Sequence, residues 1–146
     1  MLGAVVGDIV GSIYEWNNHR SKNFPLFGPD CDFTDDTVCT VALADAFLRD
    51  TDPARCLQDW CRRYPGRGYG GRFHGWIAAE DRAPYSSYGN AISIGGDSDT
   101  VAAIAGSVAE GLFGVPEAIG ARAREYLPGE LRGVLAAMGA RVVTAR

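Results

Sequence analysis

FTDDTVCTVALADAFL, residues 33–48, joins a polar start to a long apolar run. Behind its polar start, apolar residues recur at positions 38, 41, 42, 44, 47 and 48, the spacing of an amphipathic helix. Thr34, Asp35 and Asp36 stand immediately before that run. Such side chains satisfy free N–H groups in the first turn of a helix. The stretch therefore predicts a helix that begins at a dense cluster of carboxylates and hydroxyls.

GGDSDTVAAIAG, residues 95–106, repeats this plan further along the chain. Asp97 and Asp99 lie beside hydroxyls, and a helix is predicted over 98–113, ending at Gly114. A cap needs one such residue, whereas each cluster carries two carboxylates, which repel each other unless a cation neutralises them. Two interpretations stay open. One is plain helix capping, and the other is that both helix starts converge on hard cations such as Mg²⁺, which prefers carboxylate, hydroxyl and water oxygens.

The rest of the chain also indicates helices. Residues 2–13 carry apolar side chains at helical spacing, and Asp52 followed by Pro53 predicts the cap and first position of another helix. Further helices are predicted from Pro116 and through the apolar stripe 131–138. Loops are predicted over residues 17–33 and 66–75, which are rich in breakers or in glycine, arginine and aromatic residues. Because period-two alternation is nearly absent, the sequence predicts an all-α fold.

Length and composition narrow the class of protein. The 146 residues predict a single domain over 1–146, and 47% hydrophobic with 22% charged residues is typical of soluble globular proteins. The net charge of −4 makes nucleic acid and anionic membranes poor partners, so an anionic substrate would need a recruited cation. The four cysteines form no C-x-x-C pair, and neither a secretory signal nor a membrane-spanning run is found. A cytoplasmic location is expected.

Four motifs resemble those of the ADP-ribosylglycohydrolase family, in the same order. They are GDIVGSIYE (7–15), FTDDTV (33–38), SYGN (87–90) and GGDSDTVAAIAG (95–106). The resemblance implies a compact all-α helical bundle with two magnesium ions in a cleft. It also implies hydrolysis of the N- or O-glycosidic bond that joins ADP-ribose to a protein side chain or a small molecule. A metal can hold the ribose hydroxyls and orient water, and a nearby carboxylate can take the proton of that water.

The same resemblance assigns roles to individual residues. The implied metal ligands are Thr34, Asp35, Asp36, Asp97, Asp99 and Thr100. The implied catalytic groups are Glu15, as the base near the metals, together with Asp35 and Asp97. The implied contacts to ADP-ribose are Ser87, Tyr88, Gly89 and Asn90. Gly95 and Gly96 either offer backbone N–H groups to a phosphate or simply make the turn. For Asp8 we expect a hydrogen bond that supports a helix, not ligation.

The sequence departs from the family's pattern after Asn90. In the family SYGN continues into glycine, a small residue, Met and Arg, and a long run of helices precedes GGDSDT. Here Ala91 follows directly, and only residues 91–94 separate the two motifs. A missing helical segment exposes apolar surface, so we expect two chains to associate and cover it. The alternative to a hydrolase is a catalytically inactive metal- or ADP-ribose-binding module with an incomplete cleft.

RGYGGRF (67–73) partly resembles an RNA-recognition signature, but the match breaks at Gly71 and Arg72, so a loop is favoured there.

Aromatic side chains flank Glu15 and the first loop, and they would either stack on an adenine or fasten the loop to the core. Packing is the commoner use of such side chains and is favoured here. These aromatic residues are Tyr14, Trp16, Phe24 and Phe27.

Overall fold

The computed structural model describes residues 1–16, 19–80, 103, 107, 110 and 114–144. These residues form six α-helices and one short 3-10 helix, with no strand among them. The elements are α1 (Leu2–Gly11), the 3-10 helix Ser12–Tyr14, α2 (Asp35–Arg49), α3 (Pro53–Arg63), α4 (Gly71–Ala78), α5 (Glu117–Glu125) and α6 (Gly129–Thr144). Residues 103, 107 and 110 are also helical. The predicted all-α fold class is confirmed.

The chain divides into two compact units. The first consists of Met1–Thr37 and Ile94–Leu127, and the second of Val38–Ser93 and Pro128–Arg146. Helix α2 therefore begins in the first unit, and its remainder belongs to the second. Across the described ranges, every helix is too short or too polar to cross a membrane.

In the first unit, α1 forms much of the core. Val5 and Ile9 are fully buried, and α1 packs against α5. A Cβ atom at Gly120 on α5 would lie 2.9 Å from Cδ2 of Leu2, so the glycine permits the close approach of the two helices. Gly114 adopts a left-handed conformation (φ 74°) and its N–H donates to the Glu110 carbonyl at 2.9 Å. The predicted helix end at Gly114 is confirmed, as is the predicted helix over α1.

The loop between α1 and α2 carries most of the aromatic residues noted above. The rings of Tyr14 and Phe24 lie 5.5 Å apart edge to face, and Phe27 stacks on Tyr126 at 5.7 Å. Phe27 thus packs the loop onto Tyr126 at the end of α5, as favoured, whereas Phe24 contacts Tyr14 but is 38% exposed. Trp16 differs, because its side chain is 90% exposed.

In the second unit, α3 begins as the sequence predicted. Asp52 Oδ1 accepts a hydrogen bond from the Ala54 N–H at 3.0 Å, and Pro53 occupies the first helical position. Trp60 on the same helix is buried and its Nε1–H donates to Asp45 of α2 at 2.7 Å. This bond ties α3 to α2 and satisfies the buried indole N–H.

Helix α6 belongs to the second unit. Leu131 is fully buried, while the rest of the predicted apolar stripe on α6 is half-buried. Arg141 Nη1 donates to the carbonyls of Phe47 and Leu48 at 3.1 and 3.3 Å. Those carbonyls belong to the last turn of α2, where the helix has no backbone partner for them. Arg141 therefore caps α2 from a distant part of the chain.

The prediction of a loop over residues 66–75 is wrong from Gly71 onward, because α4 begins there. Phe73, Trp76 and Ile77 share one helical face, and Ile77 is buried. Gln58 Nε2 on α3 donates to the Trp76 carbonyl at 2.9 Å, which fastens α4 to α3. Each helical glycine costs about 1 kcal/mol relative to alanine. Packing on α3 outweighs that cost, which the glycine count alone did not reveal.

Tyr64, at the end of α3, has an unusual titration. Its hydroxyl donates to the carboxylate of Glu130, and Arg63 donates to the same carboxylate at 2.9 Å. Burial, and then the hydrogen bond to Glu130, raise the pKa of Tyr64 from 10.0 to about 12. Because the folded pKa lies above the unfolded one, the phenol's contribution to stability is complete below pH 10.0 and is lost as the pH rises towards about 12.

An absorbance titration of the phenolates tests this assignment. We expect one of the six tyrosines to ionise near pH 12, and Tyr64→Phe to remove that late transition. Glu130→Gln removes the negative charge beside the phenol and is expected to move the transition to lower pH. A late transition that survives in Tyr64→Phe would contradict the assignment.

Candidate functional site

Asp8 on α1 is fully buried and lies against the start of α2. Its Oδ2 accepts the backbone N–H groups of Thr34 at 2.9 Å and of Thr37 at 3.1 Å. The Thr34 hydroxyl donates to Oδ1 and the Thr37 hydroxyl to Oδ2. Asp8 therefore accepts four hydrogen bonds from the residues that open α2. The supporting role that the sequence predicted for Asp8 is confirmed.

Two opposing effects act on the pKa of Asp8. Burial raises the pKa of its carboxyl above the ordinary 3.8, and the hydrogen bonds from Thr34 and Thr37 oppose that rise. All four partner groups are donors, and they match the ionised carboxylate, which has acceptor sites only. The pocket around Asp8 is thus built for a carboxylate in a place where charge is costly.

The hydrogen bonds of Asp8 bear on the capping interpretation of FTDDTV. A first helical turn has N–H groups without a helical partner, and a side chain just before the helix ordinarily accepts one of them. Here the N–H of Thr37 goes to Asp8 on another helix. The Thr34 hydroxyl donates to Asp8. The N–H of Thr37 is therefore capped by Asp8.

Thr34, Asp35 and Asp36 lie half-buried at the N-terminus of α2, and one carboxylate oxygen of Asp36 (Oδ2) is buried. The Thr34 hydroxyl proton is directed to Asp8, so its oxygen presents lone pairs in other directions. Two carboxylates and a hydroxyl are oxygen ligands of the kind that Mg²⁺ prefers. The chemistry of this donor set fits a hard divalent cation.

The remaining predicted site residues divide into two groups. Glu15 is half-buried and directly follows the 3-10 helix. Ser12, three positions earlier, accepts a hydrogen bond from the Asp32 N–H at 3.3 Å. The segment 8–15 is therefore hydrogen-bonded, through Asp8 and Ser12, to the residues that lead into α2. The other group lies outside the described residues: Ser87, Tyr88, Gly89, Asn90, Gly95, Gly96, Asp97, Asp99 and Thr100.

Within the part of the chain that the structure describes, no three His, Cys, Asp or Glu side chains form a metal-binding group. Of the predicted metal ligands, the structure describes Thr34, Asp35 and Asp36. Sequence reasoning missed the part played by Thr37, whose hydroxyl and N–H both bind Asp8. Its separation of 29 residues from Asp8 leaves no local signal of that contact.

Comparison with known families agrees with these observations. The ADP-ribosylglycohydrolase family model matches residues 1–91. The match contains Asp8, Glu15, the start of α2 and SYGN, and it ends at the position where the sequence departs from the family's pattern. Searches among curated proteins and among solved structures give no match. Because the matched stretch covers more than half of the 146 residues, the chain belongs to the ADP-ribosylglycohydrolase family.

Proposed function

We propose that this protein is a magnesium-dependent hydrolase of the glycosidic bond of ADP-ribose attached through N or O to a protein side chain or small molecule. Family membership supports the glycohydrolase type of activity. The observation that carries the proposal is the start of α2, where Thr34, Asp35 and Asp36 stand together while Asp8 accepts the N–H of Thr37. Two adjacent carboxylates and a hydroxyl are oxygen ligands of the kind that Mg²⁺ prefers, and a cation would neutralise the repulsion between the two charges.

The proposed site needs both halves of the predicted ligand set. Thr34, Asp35 and Asp36 would hold one side of two Mg²⁺ ions. The other side would be held by Asp97, Asp99 and Thr100. Bound magnesium would supply Lewis-acid polarisation and make bound water more acidic. Of these ligands, Asp35 and Asp97 are the ones that we assign to the catalytic centre.

The chain's own groups would perform the remaining steps. Glu15 would take a proton from the water whose oxygen attacks the anomeric carbon of the ribose. The bond from that carbon to the acceptor N or O breaks, and the acceptor leaves with a proton. Ser87, Tyr88, Gly89 and Asn90 would hold the ADP-ribose, with Gly95 and Gly96 at the phosphates or in the turn. The cytoplasmic location and the association of two chains stay predictions.

A second candidate is an inactive module that binds metal or ADP-ribose without turnover. It is favoured by one observation, namely that the family match stops at residue 91, so the later part of the cleft has no counterpart in the match. Metal or ligand binding without product release would distinguish this module from the hydrolase.

Product release from a substrate panel tests the two candidates. Purified protein is incubated with arginine-linked, serine-linked and small-molecule-linked ADP-ribose, and free ADP-ribose is quantified by chromatography. We expect release from at least one substrate with Mg²⁺, loss of release with a chelator, and recovery when Mg²⁺ is restored. Magnesium binding without release from any substrate would contradict the hydrolase and favour the inactive module.

A further inference from the structure

We propose that Asp8 is a positioning residue for the cation site, acting through the hydroxyl of Thr34. The inference rests on the proposed function and adds a residue that would shape the site without touching the metal. Both Asp8 oxygens already accept hydrogen bonds from the residues that open α2, which argues against Asp8 as a ligand itself.

The hydroxyl of Thr34 is where Asp8 acts on the site. A threonine hydroxyl has one proton and can rotate it in several directions. In this structure the proton is directed to Asp8 Oδ1, and the backbone N–H of Thr34 is held by Oδ2. The Asp8 carboxylate thereby fixes the orientation of the Thr34 side chain and increases the electron density on its hydroxyl oxygen. A carboxylate that orients a ligand in this way typically contributes 10–100-fold to metal affinity.

The hydrogen bonds between Asp8 and Thr37 have a purely structural role. Thr37 is almost fully buried, and both its N–H and its hydroxyl bind Asp8. These bonds hold the first turn of α2, and Thr37 is not among the predicted ligands. The bonds of Thr34 and those of Thr37 can therefore be separated, because Thr34→Val and Thr37→Val each remove one hydroxyl at nearly constant volume.

Isothermal titration of Mg²⁺ into the full chain gives the decisive readout, with thermal unfolding of the metal-free protein measured in parallel. Asp8→Asn keeps the size of the side chain but turns an NH₂ group towards the donors of α2. We expect Asp8→Asn to raise the Kd for Mg²⁺ by at least about 10-fold. Thr37→Val lowers the melting temperature of the metal-free protein but should change that Kd by less than about 3-fold, because both hydrogen bonds from Thr34 to Asp8 remain in place.

A double-mutant cycle then asks whether Asp8 acts through Thr34. Thr34→Val is expected to weaken Mg²⁺ binding, while Thr34→Ser, which keeps the hydroxyl, should bind like the wild type. Adding Asp8→Asn to Thr34→Val should weaken binding by no more than about 2-fold further, since the two changes disrupt one interaction. Additive losses in the double variant would contradict a path through Thr34.

Several outcomes would overturn the inference. If Asp8→Asn loses stability but binds Mg²⁺ like the wild type, Asp8 is structural only. If Asp8→Asn does not fold, it is titrated in a stabilising osmolyte beside wild-type protein in the same buffer. Thr34→Val that binds Mg²⁺ normally also refutes the inference, whatever Asp8→Asn does. Wild-type protein that binds no Mg²⁺ refutes the metal-dependent function itself, a failure distinct from normal binding by Asp8→Asn alone.

Discussion

Replacing Asp35 or Asp36 by Asn is expected to abolish both the stabilisation by Mg²⁺ and the release of ADP-ribose. Each change removes a charged oxygen ligand from the start of α2, where the two carboxylates stand side by side. At a Mg²⁺ concentration of 100 times Kd, the wild type should gain about 2.7 kcal/mol in free energy of unfolding, which the variants lose. Since a catalytic metal supplies several kcal/mol, kcat/KM should fall by roughly 1,000-fold or more.

Asp30→Asn is the matched control for both variants. Asp30 is exposed in the loop before α2, so the substitution makes the same change in charge outside the proposed site. We expect it to leave Mg²⁺ stabilisation and turnover unchanged. In the metal-free protein, Asp35→Asn and Asp36→Asn should each alter stability by no more than about 1 kcal/mol, because a carboxylate at a helix N-terminus contributes about that much. Persistent Mg²⁺ stabilisation in both variants would refute the metal site at α2.

Replacing Asp8 by Ala is expected to lower the free energy of unfolding by roughly 3–5 kcal/mol. The change leaves the buried N–H and hydroxyl of Thr37 without their acceptor, at about 1–3 kcal/mol each, whereas the half-buried groups of Thr34 can turn to water. Domains of this size have a total stability of about 5–15 kcal/mol, so the loss is a large share. Urea denaturation followed by circular dichroism measures it.

Thr37→Val serves as the control for Asp8→Ala. It removes the Thr37 hydroxyl and keeps the other three hydrogen bonds of Asp8, so we expect a loss of about 1 kcal/mol. If Asp8→Ala costs no more than Thr37→Val, the hydrogen bonds at the start of α2 do not hold the first unit together. Both variants are compared at equal denaturant slope, because a changed slope would indicate a different unfolded or native state.

Local signals were enough to predict most of the helices. The cap at Asp52 and the proline after it are properties of neighbouring residues, and the structure places them as predicted. Gly114 is likewise a local signal, and it adopts the left-handed conformation expected at a helix end. Where several local signals conflicted, the prediction was wrong. At α4 the glycines at 70, 71 and 75 indicated a loop, while Phe73, Trp76 and Ile77 carried the helical spacing that packing on α3 favours.

Helical spacing with almost no period-two alternation was sufficient for the all-α class, and the order of motifs was sufficient for the family. The residue types of FTDDTV were sufficient to predict oxygen ligands at the start of α2. These properties depend on residue types and short spacings, which any reader of the sequence can see. The contact between Asp8 and the residues opening α2 is different in kind. It joins positions 26 and 29 residues apart, and it exists because α1 and the entry to α2 are packed together. No local spacing specifies which donors a buried carboxylate will meet, so the assignment of the cap to Asp8, and of the Thr34 proton to its carboxylate, required the folded chain.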